Sequence, residues 1–260
     1  MNRWTKLSID YANQRSYLDD LFQVYPTIPE GIRDIDKESW AKIEQAFYDE
    51  DNYSLVCELL KLDLFPIKDS YISYLRRDRK AIGRNPRTIN RICGRLYEMG
   101  IDKIFERCTE PKETNRQIGP MFRYWLKEKS LGITPVNWEL FISDNKDAVL
   151  DGSDKENMDF ARQYLEYSHE KGLDFVARFN NKYVIGEAKF LTDFGGHQNA
   201  QFNDAISTLR TEGVEAIIVA VLDGVLYIEG NNKMYKSLVE KYKDYNIMSA
   251  LVLREFLYQI

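Results

Sequence analysis

The clearest periodicity in the chain lies in NPRTINRICGRLYEMG, where Ile89, Ile92, Leu96 and Met99 recur at helical spacing and predict a buried stripe. Asn85 stands where a cap belongs, Pro86 suits the first turn and Gly100 the stop. Arg87, Arg91 and Arg95 fall on the opposite side, so the wet face of this helix is basic. A second helix is predicted in TNRQIGPMFRYWLKEK, with Thr114 and Gln117 in a capping-box pattern and Ile118, Phe122, Trp125 and Leu126 as core. Residues 1 to about 130 thus read as mostly helical.

From about Ile133 the pattern changes to alternating strands and helices. TPVNWELFI reads as a strand. SDKENMDFARQYLEYSHEKG reads as a helix opened by a Ser153–Glu156 capping box and stopped by Gly172. GLDFVARFNNKYVIGEAKFL holds two apolar runs joined by Asn180-Asn181. GGHQNAQFNDAISTLR reads as a helix entered through a glycine pair, and VEAIIVAVL as a strand covered on both faces. Asp223-Gly224 is a tight-turn signal leading into VLYI. NNKMYKSLVEKYKDY reads as helix, and the tail IMSALVLREFLYQI fits either strand or helix. The order strand, strand, helix, strand predicts an α/β core in which the helix crosses over from the Glu187 strand to VEAIIVAVL.

Composition narrows the class. At 260 residues and 44% hydrophobic, the chain is long enough for one large domain or two small ones. No apolar run approaches the roughly 18 to 20 residues of a membrane helix, and MNRWTKLSIDYANQRSYLDD lacks a signal-peptide core. A cytoplasmic protein with no membrane partner is expected. Cys57, Cys93 and Cys108 have neither paired spacing nor an even count, which excludes a disulfide framework or a cysteine zinc site. Two histidines, His169 and His197, leave little for His-rich metal hydrolysis. The net charge of −5 does not by itself suggest nucleic acid. Its distribution does: between Arg76 and Arg95 stand eight basic residues and one acid, Asp78, a pattern that fits either a solvated helix face or a phosphate-contacting one.

The hairpin carries the candidate chemistry. If Asn180-Asn181 form a two-residue turn, Phe179 pairs with Lys182, and Asp174 falls directly opposite Glu187 on one face, with Cβ atoms roughly 4.5–5.5 Å apart. Lys189, two residues on, emerges on that same face. Two carboxylates that close do not both ionise in a dry site unless a cation separates them. All-oxygen ligation suits Mg²⁺, and the ammonium is placed to orient or help deprotonate a water, or to stabilise a phosphorane-like oxygen. A surface salt bridge would also fit the three charges, but Phe175, Val176, Val184, Ile185, Gly186, Ala188 and Phe190 are not the neighbours of a wet face.

LDFVARFNNKYVIGEAKF resembles the PD-(D/E)xK nuclease motif, with Asp174, Glu187 and Lys189 in its three positions and Leu173 where the motif has proline. The wider stretch from about Thr114 onward, including ETNRQIGPMFRYWL, GEAKFLTDFGGHQNAQF and LDGVLYI, resembles type II restriction endonucleases. That resemblance implies a restriction-endonuclease-like αβββαβ core at 114–260 behind a mostly helical DNA-recognition region at 1–113. It further implies Mg²⁺-dependent cleavage of double-stranded DNA to 5′-phosphate and 3′-hydroxyl ends. Asp174 and Glu187 would then hold the metal together with the Ala188 carbonyl, and Lys189 would assist the water. Glu166 and Glu170 are the candidates for a further acid on a preceding helix.

In the loop after Lys189, Gly195 and Gly196 permit close approach to phosphate, and His197, Gln198, Asn199 and Gln201 offer donors. Asp193 fits either a helix cap or a second metal. Arg84, Arg87, Arg91 and Arg95 are the expected DNA contacts of the helical half. Palindromic sites favour a homodimer, and a cognate methyltransferase would protect host DNA. Repair or antiviral effector nucleases share such a core, and a catalytically silent DNA-binding or protein-interaction module would carry the same charges for structural reasons.

Overall fold

The computed structural model describes residues 1–14, 16–26, 33–110 and 118–260. Their contacts divide the chain into two units, Met1–Thr27 with Thr114–Ile260, and Ile28–Glu113. The first unit thus takes in both ends of the chain, which no sequence pattern announces. This arises because helices α1 (Arg3–Ala12) and α2 (Tyr17–Val24) are seated on the C-terminal part of the chain. Thr5 Oγ1 donates to the Ile247 carbonyl at 2.8 Å, the Ser249 amide donates to Ser8 Oγ at 2.9 Å, and Trp4 meets Phe256 edge-on.

The unit Ile28–Glu113 is helical among its described residues, with α3 (Lys37–Tyr48), α4 (Asn52–Leu59), α5 (Ile72–Arg77), α6 (Ala81–Arg84), α7 (Pro86–Met99) and α8 (Ile101–Cys108). Ile89, Ile92 and Leu96 of α7 are buried with Ile43, Leu55, Val56 and Ile104, and Met99 packs against the same core, as the 3.6-residue period requires. Pro86 fills the first position and Gly100 ends the helix at φ 81°. Asn85 occupies the cap position but its side chain makes no bond to the helix. Its side chain donates instead to the Ala81 carbonyl at 2.7 Å, finishing the short helix that precedes. Cys57, Cys93 and Cys108 are free thiols, and burial pushes Cys93 and Cys108 up to about 12.

The other unit continues with α9 (Ile118–Lys127), α10 (Trp138–Ser143), β1 (Ala148–Val149), α11 (Asp154–Tyr164), β2 (Phe175–Phe179), β3 (Lys182–Leu191), α12 (Gly196–Leu209), β4 (Ile217–Gly224), α13 (Lys233–Lys236), β5 (Ile247–Met248) and α14 (Ala250–Gln259). The sheet runs β1-β2-β3-β4-β5, antiparallel through β3 and parallel from β3 to β5. The crossover helix α12 joins β3 to β4 as expected. Period-two alternation sorts the sheet into two cores. Phe175, Ala177, Phe179, Val184 and Ala188 pack with α9, α12 and α14, whereas Val176 and Ile185 pack with α10 and α11. Ile118, Phe122 and Leu126 of α9 are buried and Trp125 half-buried, as its pattern predicts; the proposed Thr114–Gln117 capping box lies outside the described residues.

Several stretches differ from their sequence reading. Within TPVNWELFI only Val136 pairs as β, in a single bridge to Leu150, and WELFI enters the helix α10, because Asn137 caps Leu140 N–H at 3.0 Å and Phe141 is buried one turn on. The buried guanidinium of Arg178 then pins the segment between α10 and β1 by donating to the carbonyls of Phe141 and Lys146. The capping box of Ser153 and Glu156 is present, but α11 stops at Tyr164, eight residues before Gly172. Leu165 and Tyr167 turn inward to the core, with Glu166 at φ 56° between them. VLYI is a single 3₁₀ turn and no strand, and the helix expected after it is α13 followed by one π turn at Ser237–Lys241. The tail resolves its own ambiguity by being both: β5, then α14 capped by Ser249.

Asp223, fully buried at the end of β4, holds these parts together. It accepts from the hydroxyls of Tyr17, Tyr25 and Ser249 and from the Ala250 amide. Burial raises its carboxyl to about 6 against the downward pull of those four donors. An unfolded aspartate titrates near 3.9, so the folded state retains a proton that the unfolded chain releases. The cost of ionising Asp223 therefore grows as pH rises from about 4 to about 6 and is fully present above that window. In urea titrations, the unfolding free energy of the natural chain relative to Asp223→Asn is expected to fall across that window, by at most about 1.4 kcal/mol per pH unit. A difference that stays constant with pH refutes this account.

Candidate active site

The site begins with a turn. Asn180 and Asn181 both adopt left-handed backbone, φ 49° and 59°, which asparagine tolerates and which a two-residue hairpin of type I′ demands. The resulting register is the predicted one, from Phe179↔Lys182 to Phe175↔Gly186. Gly186 is required where β3 meets β4: a Cβ there would lie 2.5 Å from the Val219 carbonyl oxygen.

The ladder stops one pair short of Asp174 and Glu187. Asp174 stands immediately before the first residue of β2, with its amide donating to the Gly186 carbonyl at 2.9 Å. The two acids nevertheless converge. Lys189 Nζ lies 3.9 Å from Asp174 Oδ2 and 3.2 Å from Glu187 Oε2. Asp174 Oδ2 also accepts the Ala188 amide at 2.8 Å. A strand residue presents its N–H and C=O to the same edge, so the Ala188 carbonyl faces the side on which Asp174 lies.

The two oxygens of Glu187 are treated differently. Oε1 accepts from Thr208 Oγ1 and lies 2.6 Å from Lys171 Nζ. Oε2 is buried and, among the described residues, accepts no hydrogen bond. Such an atom is costly unless something else satisfies it. For Asp174 burial is the largest influence and raises its carboxyl above the ordinary range; the Lys189 ammonium and the Ala188 N–H pull the other way without prevailing. Burial works to lower the Lys189 ammonium, but Asp174 and Glu187 together hold it above its usual value.

This donor set suits a hard cation. It offers two carboxylates and a carbonyl, all oxygen, with one buried oxygen that accepts no hydrogen bond and has the Lys189 ammonium at 3.2 Å. Among the described residues no group of three His, Cys, Asp or Glu side chains is arranged to hold a metal, so water and substrate would complete any coordination shell. Glu166 and Glu170 are not brought in as a further acid. Both are exposed, and Glu170 lies 3.9 Å from Arg162.

The structure adds residues that no pattern singled out. Arg123 of α9 lies 3.7 Å from Asp174 Oδ1 and also pairs with Asp154, while Gly119 leaves room for Asp174: a Cβ at 119 would sit 3.0 Å from Oδ1. Lys171 and Thr208 hold Glu187. Their only sequence signal is a lysine three residues before Asp174 and a threonine on the crossover helix, and neither is distinctive.

The expected DNA contacts fall into two groups. On α7 Arg87, Arg91 and Arg95 are exposed; Arg91 pairs with Asp69 at 2.5 Å, and Arg84 of α6 with Asp78. Among the described residues Arg87 and Arg95 have no acidic partner. Arg76 and Arg79 are spent on the carbonyls of Leu62, Asp63 and Leu60. After β3, Gly196 and His197 are exposed at the start of α12 and Gln201 is half-buried. Gln198 is buried and ties down Thr192, and Asn199 donates to the Phe194 carbonyl. Asp193 does not cap α12, whose cap is Gly195; it accepts from the Phe194 amide. No described helix is long and apolar enough to cross a membrane.

Residues 2–260, nearly the whole length, match a family model of a type II restriction enzyme, which makes the protein a site-specific DNA endonuclease. The family is the one described as Tsp45I type II restriction enzyme, and the chain belongs to it. No curated protein and no solved structure matches.

Since burial disfavours the ionised form of Asp174, Asp174→Asn is expected to melt at a higher temperature than the natural chain at neutral pH with chelator present. Calorimetry or circular dichroism checks this, and a lower melting temperature counts against it.

Proposed function

We propose that the chain hydrolyses phosphodiester bonds of double-stranded DNA with Mg²⁺, on a PD-(D/E)xK core in which Asp174, Glu187 and Lys189 take the three motif positions. The observation that carries this reading is the convergence of two acids on one ammonium, with Glu187 Oε2 buried and without a hydrogen bond. Asp174, Glu187 and the Ala188 carbonyl would hold the ion, which when bound supplies Lewis acidity toward water and a phosphoryl oxygen. Lys189 orients the attacking water and stabilises negative charge on the phosphoryl oxygens. Water oxygen bonds to phosphorus as the bond to the 3′ oxygen breaks; the proton lost by the water passes to solvent and the 3′ oxygen takes one from solvent, leaving 5′-phosphate and 3′-hydroxyl ends.

The helical unit Ile28–Glu113 supplies the basic face of α7 for the DNA backbone, and His197 and Gln201 contact substrate beside the site. The protein works as a homodimer in the cytoplasm, on palindromic sites that a cognate methyltransferase protects.

Digestion of a plasmid of known sequence is expected to give discrete fragments with Mg²⁺ and none with chelator. Glu187→Ala and Lys189→Ala are expected to lower cleavage at least about a hundredfold while duplex binding survives. Full cleavage by either variant rejects the site. Arg87→Ala with Arg95→Ala is expected to weaken duplex binding and reduce the slope of log affinity against log salt by about 2. Unchanged binding and slope would remove α7 from the DNA interface.

A further inference from the structure

Lys171 is held by more than its contact with Glu187. Its Nζ lies 2.6 Å from Glu187 Oε1, 2.7 Å from Asp204 Oδ2, 3.0 Å from the Asp204 carbonyl and 3.3 Å from Thr208 Oγ1. Two of its three oxygen-bearing partners come from α12, and those contacts persist whatever Glu187 does. Thr208 donates to the same Oε1. A carboxylate with one oxygen gripped by an ammonium and a hydroxyl has lost its rotational freedom about the terminal torsion. The other oxygen lies 3.2 Å from Lys189 Nζ with no hydrogen bond of its own.

An ammonium beside a metal ligand would ordinarily weaken cation binding by like-charge repulsion. Asp204 answers this. Its carboxylate sits against Lys171, so the Lys171–Asp204 pair brings orientation without net positive charge. Lys171 is also only about a quarter exposed, so its contacts are less screened than those of a surface pair.

We propose that Lys171 and Thr208, braced by Asp204, are positioning residues that fix Glu187 so that Oε2 is presented to a divalent cation. This rests on the metal-dependent reading of the site given above. Outer partners of metal-ligating carboxylates commonly change metal affinity by about 10- to 100-fold when removed.

The probe is Tb³⁺, a hard, oxygen-seeking cation whose emission is sensitised by nearby tyrosine. Tyr167, buried in the same core as Ile185 of β3, supplies that group. Titration of the full chain with Tb³⁺ alone, without DNA, reads cation affinity apart from cleavage. Lys171→Met is expected to weaken Tb³⁺ binding about tenfold, with Thr208→Val and Asp204→Asn shifting it in the same direction by smaller factors. Melting temperatures recorded beside each titration show whether the variants fold. If Lys171→Met does not, Thr208→Val and Asp204→Asn carry the test. Affinity that is unchanged or tighter in the folded variants, including a variant that loses only melting temperature, overturns the proposal. Asp174→Asn and Glu187→Gln serve as references. If these two abolish sensitised emission while the Lys171, Thr208 and Asp204 variants bind normally, the metal site stands and the positioning role falls. If the two references bind Tb³⁺ as the natural chain does, the metal site itself falls, and the positioning role with it.

Discussion

Everything in the unit that carries the sheet depends on a turn that only a few residue types can make. Two consecutive left-handed asparagines close the hairpin in two residues, and a two-residue loop leaves one register for the strands. A slip of one in β3 would send Ile185 to the wrong core and carry Glu187 to the face opposite Asp174. Hydrophobic burial on both sides of the sheet makes that slip expensive. The packing that folds the protein is therefore what brings the two acids together.

Concentrating charge there works against stability. Glu187 and Asp174 are nearly buried, and removing ionised carboxylates from water costs several kcal/mol each unless partners compensate. The chain compensates unevenly. One oxygen of Glu187 is doubly held, one oxygen of Asp174 takes a backbone amide, and Glu187 Oε2 has no hydrogen bond. Incomplete satisfaction of this kind is tolerated where a function needs a polar atom held ready for a ligand.

The parts of the fold legible in the sequence were those governed by short-range rules. Register, the α7 stripe, the Ser153 capping box and the crossover from β3 to β4 all come from period, turn chemistry and caps. What escaped depended on contacts distant in the chain. TPVNWELFI has the apolar content of a strand, but only Val136 pairs, and the cap at Asn137 turns the rest into helix. The early end of α11 is set by Leu165 and Tyr167 seeking a core that no local pattern shows. Of the site, the acids and the lysine were legible because they lie on the hairpin, whereas Lys171, Thr208 and Arg123 come from elements whose approach only the fold creates. Gln198 shows the converse: its residue type suits reading a base, but burial commits it to Thr192. The resemblance to restriction endonucleases reached from about Thr114 onward, while the family match runs from residue 2, so the helical segment belongs to the family as a whole.

The seating of α1 has a bearing on how the polypeptide comes to exist. Thr5 and Ser8 find their partners at Ile247 and Ser249, and Tyr17 finds Asp223, so the first two helices are closed over by residues made more than two hundred positions later. During synthesis those helices emerge early and wait for β5 and α14. A unit built this way closes only once β5 and α14 have been made, and until then the inward faces of α1 and α2 lack those partners.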